Sequence, residues 1–135
     1  MSLSLHAAAV PGFIDLLTNI GAWLDKAAAQ HDEGTLIEAR LAPDMLPLAR
    51  QIQIASDTAK GAVARLTGSE APAMPDTETS FAELKARCDK TIAYLRSILR
   101  HPAFVAGVYD TGLLEREHAA LLGTLGEAPP LPAVA

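Results

Sequence analysis

Apolar residues recur at steps of three and four along three long segments of this 135-residue chain. Such spacing gathers them on one face of a helix, so each segment predicts an amphipathic α-helix. The composition agrees, because alanine and leucine are abundant, aromatic residues make up only 4% of the chain and β-branched residues are few. The sequence therefore predicts a single all-α domain in which the helices pack as an antiparallel bundle.

The first predicted helix runs from about Leu5 to Gln30. Ser4 is suited to cap its start, and Pro11-Gly12 predicts a kink or a restart in its second turn. Gly34 is suited to the left-handed conformation that often ends a helix. The expected buried face consists of Phe13, Leu16, Leu17, Ile20, Trp23, Leu24 and Ala27.

The second long helix is expected to begin near Asp44. Pro47 then falls in its first turn, where the backbone N–H groups have no helical partners, and Gly68 ends the helix. Between the two long helices, Thr35-Leu36-Ile37-Glu38 matches a capping box and predicts a short helical turn. The expected buried face of the second long helix consists of Met45, Leu48, Ile52, Ala55, Ala59, Ala62 and Leu66.

The third long helix is expected to open at Ser80, because Ser80-Phe81-Ala82-Glu83 matches a capping box, and to end before Pro102. Glu83 and Arg87 stand one turn apart and predict an ion pair on its outer face. Residues 69–79 contain two prolines and predict an ordered crossing loop or a linker. The expected buried face consists of Phe81, Leu84, Cys88, Ile92, Leu95 and either Ile98 or Leu99.

The helical period weakens after Pro102. Residues 113–125 predict a weak fourth helix, and residues 128–135, which are rich in proline and alanine, predict a disordered tail. The weak helix would carry Leu114, His118, Leu121 and Leu125 on one side.

Charge and hydropathy exclude several classes of function. The net charge is −5 and the basic residues form no cluster, which argues against binding nucleic acid. No apolar run approaches the 18 residues of a membrane span, and the N-terminus lacks the basic stretch of a secretory signal. Cys88 is the only cysteine and cannot form an internal disulfide, so a reducing, cytoplasmic location is expected.

Four histidines raise the question of a metal site. An α-helix rises about 1.5 Å per residue, so His6 and His31 lie roughly 37 Å apart on one predicted helix. One ion cannot bind both. An up-down-up order of helices would bring His31, Asp44 and His101 to one end of the bundle, whereas the ordinary interpretation is that they are solvated loop residues. We expect no metal ligand and no cofactor.

Polar residues on the second long helix are the remaining candidates for a site. Arg50, Gln53 and Asp57 share one helical face and could line a polar cleft that binds a small molecule. A solvated face, or a polar network between helices, is the alternative. Cys88 falls in phase with Leu84 on the third helix, which predicts a buried structural thiol, and we expect no catalytic residue.

Several segments in the first part of the chain form a distinctive pattern: Leu41–Met45, Arg50–Ala62, Ser2–Ser4, Val10–Phe13, Asp76–Glu78 and Phe81–Leu84. In these segments the chain resembles an uncharacterised bacterial family of DinB-like proteins. The resemblance covers about residues 1–98 and implies a DinB-like four-helix bundle. It also implies a relation to a wider group whose members often hold a metal through histidines and act on thiols or small electrophiles.

A second resemblance begins near the end of the first. Ile98–Phe104 together with Asp110–Glu115 is similar to the C-terminal end of the biotin carboxylase region of acyl-CoA carboxylases, over roughly residues 92–118. Leu113 departs from that pattern, which usually has an aromatic residue there. Since the ATP-binding core of a carboxylase is absent from the sequence, no carboxylase chemistry is expected. The alternative is a divergent last helix of the DinB-like family.

These observations divide the chain into a truncated DinB-like bundle at residues 1–98, a carboxylase-like segment at 99–127 and a tail at 128–135. The last helix of the bundle is therefore expected to be missing or replaced. We predict a non-catalytic helical bundle, with a small-molecule-binding or metal-assisted enzyme acting on a thiol or small electrophile as the alternative. A missing helix exposes an apolar stripe, so a homodimer is expected, with no nucleic acid, membrane or small-molecule partner.

Overall fold

The computed structural model describes residues 5–67 and 70–100. This part of the chain contains no strand and folds into four helices, which confirms the all-α prediction. The predicted fourth helix at 113–125 and the predicted tail at 128–135 lie outside the described residues, as does Ser4. The helices are α1 (Leu5–Gln30), α2 (Glu33–Ile37), α3 (Leu48–Thr67) and α4 (Phe81–Arg100).

Helix α1 continues through Pro11 without a second start. Pro11 is the seventh residue of the helix, beyond the first turn, so the helix lacks the backbone hydrogen bond that another residue would donate there. Val10, Leu17 and Leu24 on this helix are buried at steps of seven residues. Leu17 and Leu24 therefore lie in the core as the sequence predicts.

The outer part of the predicted α1 face is not buried. Leu16 is 45% exposed and Trp23 is 61% exposed, so the prediction that both lie in the core is wrong. The apolar face of α1 is wide: Leu17 and Leu24 lie on the edge that is buried in the core, and Leu16 and Trp23 lie on the opposite edge. Phe13, Ile20 and Ala27 lie between the two zones and are partly buried.

The short helix α2 begins one turn earlier than its capping-box pattern predicts. Asp32 caps it, and its carboxylate accepts hydrogen bonds from the backbone N–H of Thr35 at 2.8 Å and from the Thr35 hydroxyl at 2.7 Å. Thr35 and Gly34 consequently lie inside α2 and cap nothing. A carboxylate is the stronger acceptor for the N–H groups at a helix start, so Asp32 takes the capping position.

Helix α3 begins at Leu48, not near Asp44. The backbone carbonyl of Pro47 accepts the N–H of Gln51 at 3.0 Å, so Pro47 is the residue before the helix. A proline disfavours helical geometry in the residue that precedes it, which keeps Leu46 out of the helix. The N–H of Leu48 bonds to the carbonyl of Ala39 at 2.9 Å and holds the start of α3 beside the end of α2.

Helix α1 runs antiparallel to both α3 and α4. Asp25, near the end of α1, pairs with Lys85, near the start of α4. The side chain of Glu33 accepts the backbone N–H of Phe81 at 2.6 Å, so α4 starts at the same end of the bundle as α2 and α3. The antiparallel bundle is thus confirmed for α1, while α3 and α4 run parallel to each other.

The parallel pair α3 and α4 overturns the predicted up-down-up order. The residues that join Thr67 to Phe81 can span about 43 Å when extended, and a 20-residue helix is about 30 Å long. The connection is therefore long enough to return along the full length of the bundle. Arg100 at the end of α4 therefore lies at the opposite end of the bundle from the end of α1, and the predicted up-down-up order does not occur. His101 lies outside the described residues.

The core lies where α1, α3 and α4 meet, and α4 is in contact with both other long helices. The predicted domain boundary at residue 98 falls within α4, which continues to Arg100. The largest fully buried apolar side chains are Val10, Leu17, Val63, Leu84, Leu95 and Ile98.

Candidate functional site

A buried arginine lies at the centre of the polar residues between α3 and α4. Arg87 falls on the same face of α4 as Leu84 and Thr91, at steps of three and four, and this face is turned into the protein. Its side chain is only 1% exposed. A charge so well removed from water must be paired and hydrogen-bonded to be tolerated.

Every N–H group of the Arg87 guanidinium has an acceptor. Two of the acceptors belong to α3, and the others belong to the segment that returns from α3 to α4, defined here as the crossover segment (residues 70–80). Asp76 Oδ1 adds a further charge contact at 3.0 Å. Nε donates to Ser56 Oγ (3.3 Å), Nη1 to the Pro75 carbonyl (3.1 Å) and Glu78 Oε1 (2.9 Å), and Nη2 to Asp57 Oδ1 (2.6 Å) and the Met74 carbonyl (3.3 Å).

The three residues that the sequence singles out on α3 all join this network. Arg50 contacts both Gln53, at 3.2 Å, and the carboxylate of Asp76. Gln53 donates from Nε2 to Glu78 Oε2 at 3.0 Å, and Asp57 pairs with Arg87. The structure thus brings the predicted polar face together with carboxylates of the crossover segment.

Two further α3 residues complete the group. Lys60 Nζ lies 2.9 Å from Asp57 Oδ1, with most of its side chain buried. The Ser56 and Thr91 hydroxyls lie 2.8 Å apart in the interior, and Thr91 Oγ1 also contacts the Met74 sulfur at 3.7 Å. We call the whole set the Arg87 cluster, comprising Arg50, Gln53, Ser56, Asp57, Lys60, Asp76, Glu78, Arg87 and Thr91.

Charges balance within the Arg87 cluster. Three cations face three carboxylates, so the cluster is neutral when all six groups are ionised. Burial by itself would raise the pKa of Asp57, but hydrogen bonds from Lys60 and Arg87 outweigh it and lower that pKa below its ordinary value. Burial acts upward on the pKa of Glu78 too, and hydrogen bonds, the strongest from Arg87, lower it overall.

The predicted ion pair between Glu83 and Arg87 does not form, so this prediction is wrong. Glu83 Oε2 instead accepts the backbone N–H groups of Thr79 at 2.7 Å and Ser80 at 3.2 Å, while Ser80 Oγ accepts the N–H of Glu83. This confirms the capping box at Ser80 and leaves Arg87 free to turn inward. The available signal was helical phase, because Arg87 repeats with the buried Leu84 and Thr91.

The thiol of Cys88 is buried next to the cluster, as the sequence predicts. Burial, with a smaller effect of the Asp89 charge, raises its pKa to about 11. The thiolate is the reactive form of cysteine, so the thiol is almost entirely in its inert form at neutral pH.

An open groove of about 620 Å³ runs between the crossover segment and the outer side of α4. Pro72, Met74 and Pro75 form one wall, and Ala86 and Lys90 lie on the other. Arg50, Gln53 and Asp57 are not among its lining residues. Of the Arg87 cluster, Glu78 and Arg87 are among the residues that line the groove.

Within residues 5–67 and 70–100, no three histidine, cysteine, aspartate or glutamate side chains are grouped so that they could hold a metal ion. Among the helices described, none combines the length and the apolar composition that a membrane-spanning helix needs.

Comparison with known proteins gives two matches. A family model described as a domain of unknown function (DUF1993) matches residues 5–108. The crystal structure of a DinB family member protein from Shewanella denitrificans is 33% identical, covers 97% of this chain and 95% of its own, and superposes with a TM-score of 0.66. No curated protein matches the chain. Neither match supports the resemblance of residues 92–118 to a biotin carboxylase.

Proposed function

This chain belongs to the DUF1993 family of DinB-like proteins, and we propose that it is a non-catalytic helical bundle in which the Arg87 cluster is structural. Its task in the molecule is to fix the crossover segment against α3 and α4. The cluster joins three stretches of chain that are distant in sequence, and it does so through one buried side chain.

The observation that carries this proposal is the complete use of the Arg87 donors. A catalytic or ligand-binding arginine offers N–H groups to a substrate, whereas those of Arg87 are all engaged with protein acceptors. Asp57 and Glu78 are held ionised by the same contacts, so neither is poised to exchange a proton near neutral pH. Cys88 is unsuited to nucleophilic attack because its thiol stays protonated.

One observation favours the alternative, a small-molecule-binding or metal-assisted enzyme acting on a thiol or small electrophile. The Arg50 side chain is 42% exposed although it contacts Asp76. It lies at the edge of the cluster and could exchange that contact for a ligand carboxylate. Gln53 and Asp57 would then support the ligand from the same helix face.

The experiment compares the two functions directly. The purified chain is mixed with glutathione and an aromatic chloride electrophile, with and without Zn²⁺ or Mn²⁺, and thiol loss is followed over time. We expect the rate of the buffer alone, and no rise in melting temperature with either metal. A faster rate that Arg50→Ala abolishes, while Arg96→Ala on the exposed side of α4 retains it, would establish the enzyme instead.

The cytoplasmic location and the homodimer remain predictions. A fluorescent fusion followed in intact bacterial cells tests the first, with uniform cell-wide signal expected and a peripheral signal against it. The second is developed below from the surface of α1.

A further inference from the structure

Beside its fully buried residues, helix α1 carries a second row of apolar residues, three of which are partly buried against the core. Its members follow each other at steps of three, four, three and four residues, which is the spacing of a seam between two paired helices. We call this set the outer stripe, and it consists of Phe13, Leu16, Ile20, Trp23 and Ala27.

Leu16 and Trp23 are the exposed members of the outer stripe, while Ile20 between them is partly buried against the core. Trp23 and Leu16 are among the most exposed large apolar side chains, whereas Leu17 and Leu24 on the same helix are almost fully buried. Single exposed apolar residues are common on protein surfaces. Leu16 and Trp23 lie about two turns apart, with the partly buried Ile20 between them and the partly buried Phe13 before Leu16, so apolar side chains follow each other along the helix.

The order of residues along this face is self-complementary. Leu16 and Trp23 lie at similar distances on either side of Ile20, so a twofold axis near Ile20 sets Leu16 of one copy against Trp23 of the other. Asp15 and Lys26 are exposed at similar distances on either side of the same axis. An antiparallel pair of α1 helices therefore places each Asp15 near a Lys26 of opposite charge.

We propose that the outer stripe of α1 is an interface with the same stripe of a second copy of this chain, packed antiparallel about a twofold axis near Ile20. This goes beyond the structural role of the Arg87 cluster and does not depend on it. One helix from each copy buries less surface than the roughly 1,600 Å² of a standard interface. The pair is therefore a weak dimer that dissociates on dilution.

The full chain offers a direct probe, because Trp23 is its only tryptophan. Sedimentation velocity and tryptophan emission are measured on the 135-residue protein from about 1 to about 200 µM. The expected result is a shift from monomer to dimer mass together with a blue shift of the emission. Leu16→Glu, which leaves the tryptophan in place, is expected to remain monomeric over the same range.

Charge reversal tests the register of the pair. Asp15→Lys sets two cations against each other and is expected to weaken the dimer roughly tenfold, while Asp15→Lys combined with Lys26→Asp restores it. Glu38→Lys changes net charge equally at an exposed position off α1 and should leave the dimer intact. Far-ultraviolet circular dichroism confirms that each variant remains folded.

Two outcomes overturn the proposal. A monomeric mass at every concentration with solvent-exposed emission shows that the stripe has no partner in a second copy. A monomeric mass with emission already blue-shifted at the lowest concentration shows that residues 101–135 of the same chain cover Trp23. A dimer unaffected by Leu16→Glu or by the single charge reversal lies on another surface and is equally incompatible with the proposed pairing.

Discussion

Helix α4 is held in two different ways on its two sides. Towards α1 the contact is apolar, with leucines in the core and an ion pair between Asp25 and Lys85 at the surface. Towards α3 the interior holds buried polar groups, Arg87, Thr91 and Ser56, in addition to apolar residues such as Ile52 and Val63, and the crossover segment closes over the polar groups. Helix α4 therefore has an apolar side towards α1 and a side with buried charge towards α3, called the charged side below.

The two sides of α4 make different contributions: one mainly stabilises the packing of the helix, and the other mainly fixes its position. Apolar burial is non-directional and accepts several relative positions of two helices. Each Arg87 donor instead requires an acceptor at one place and angle. We infer that the α1 side supplies most of the free energy that holds α4, while the α3 side fixes the parallel direction of α3 and α4 and the path of the crossover segment.

The largest loss of stability is expected when Arg87, at the centre of the charged side of α4, is removed. Arg87→Ala leaves Asp57 and Glu78 with no compensating guanidinium in a partly buried site, so the free energy of unfolding should fall by about 3–5 kcal/mol. Urea unfolding followed by circular dichroism measures the change. Arg96→Ala, an exposed arginine on the same helix, is the matched control and should have little effect. A loss below about 1 kcal/mol for Arg87→Ala would show that the cluster is not structural.

On the apolar side, the matched substitution is Leu17→Ala. Leu17 is 1% exposed, so its truncation should lower the free energy of unfolding by about 2–5 kcal/mol through lost burial and a residual cavity. The neighbouring Leu16→Ala removes the same atoms from an exposed position and should cost far less. Equal losses for the two leucines in urea unfolding would contradict the division of α1 into a core stripe and an outer stripe.

Acid should weaken the charged side selectively. The pKa values of Asp57 and Glu78 are lower in the folded protein than in the unfolded chain, where they are roughly 4. Their stabilising contribution is therefore complete above about pH 5 and is lost as the pH falls through the unfolded values towards the folded ones.

Urea unfolding at a series of pH values between about 6 and 3 measures this loss. The slope of the free energy of unfolding against pH should be smaller in Arg87→Ala than in the parent chain, and unchanged in Leu17→Ala. An identical slope in all three proteins would mean that the acid response arises from carboxylates outside the Arg87 cluster.

The smallest effect is expected where a charge pair lies on the apolar side. Lys85 and Asp25 are both well exposed, and such pairs contribute little because water and salt screen them. Lys85→Met should leave the urea midpoint unchanged at physiological salt. A loss comparable to that of Arg87→Ala would erase the distinction between the two sides of α4.

The sequence was a good guide to where helices lie and a poor one to their direction. The capping box at Ser80 and the length of α1 follow from local patterns that the structure retains. Apolar spacing, however, is the same whether a helix points up or down. The direction of α4 depends on the crossover segment, and its two prolines permit either a short turn or a long return.

The candidate site was foreseen only in part for a related reason. Arg50, Gln53 and Asp57 share a face of α3, so helix geometry alone was enough to group them. The acceptors that make Arg87 the centre come from residues up to 31 positions away. No local pattern contains such a contact, and a charged residue one turn from Glu83 resembles an ordinary surface pair.

The path of the crossover segment also sets an order of events during folding. Met74, Pro75 and Glu78 lie 13, 12 and 9 residues before Arg87, whereas Ser56 and Asp57 lie 31 and 30 residues before it. The contacts with the crossover segment therefore close short loops, and the contacts with α3 close a longer loop at a higher entropic cost. We expect the crossover segment to fold back on α4 before α3 joins them, so that weakening the contact between Asp57 and Arg87 accelerates unfolding and leaves the refolding rate nearly unchanged.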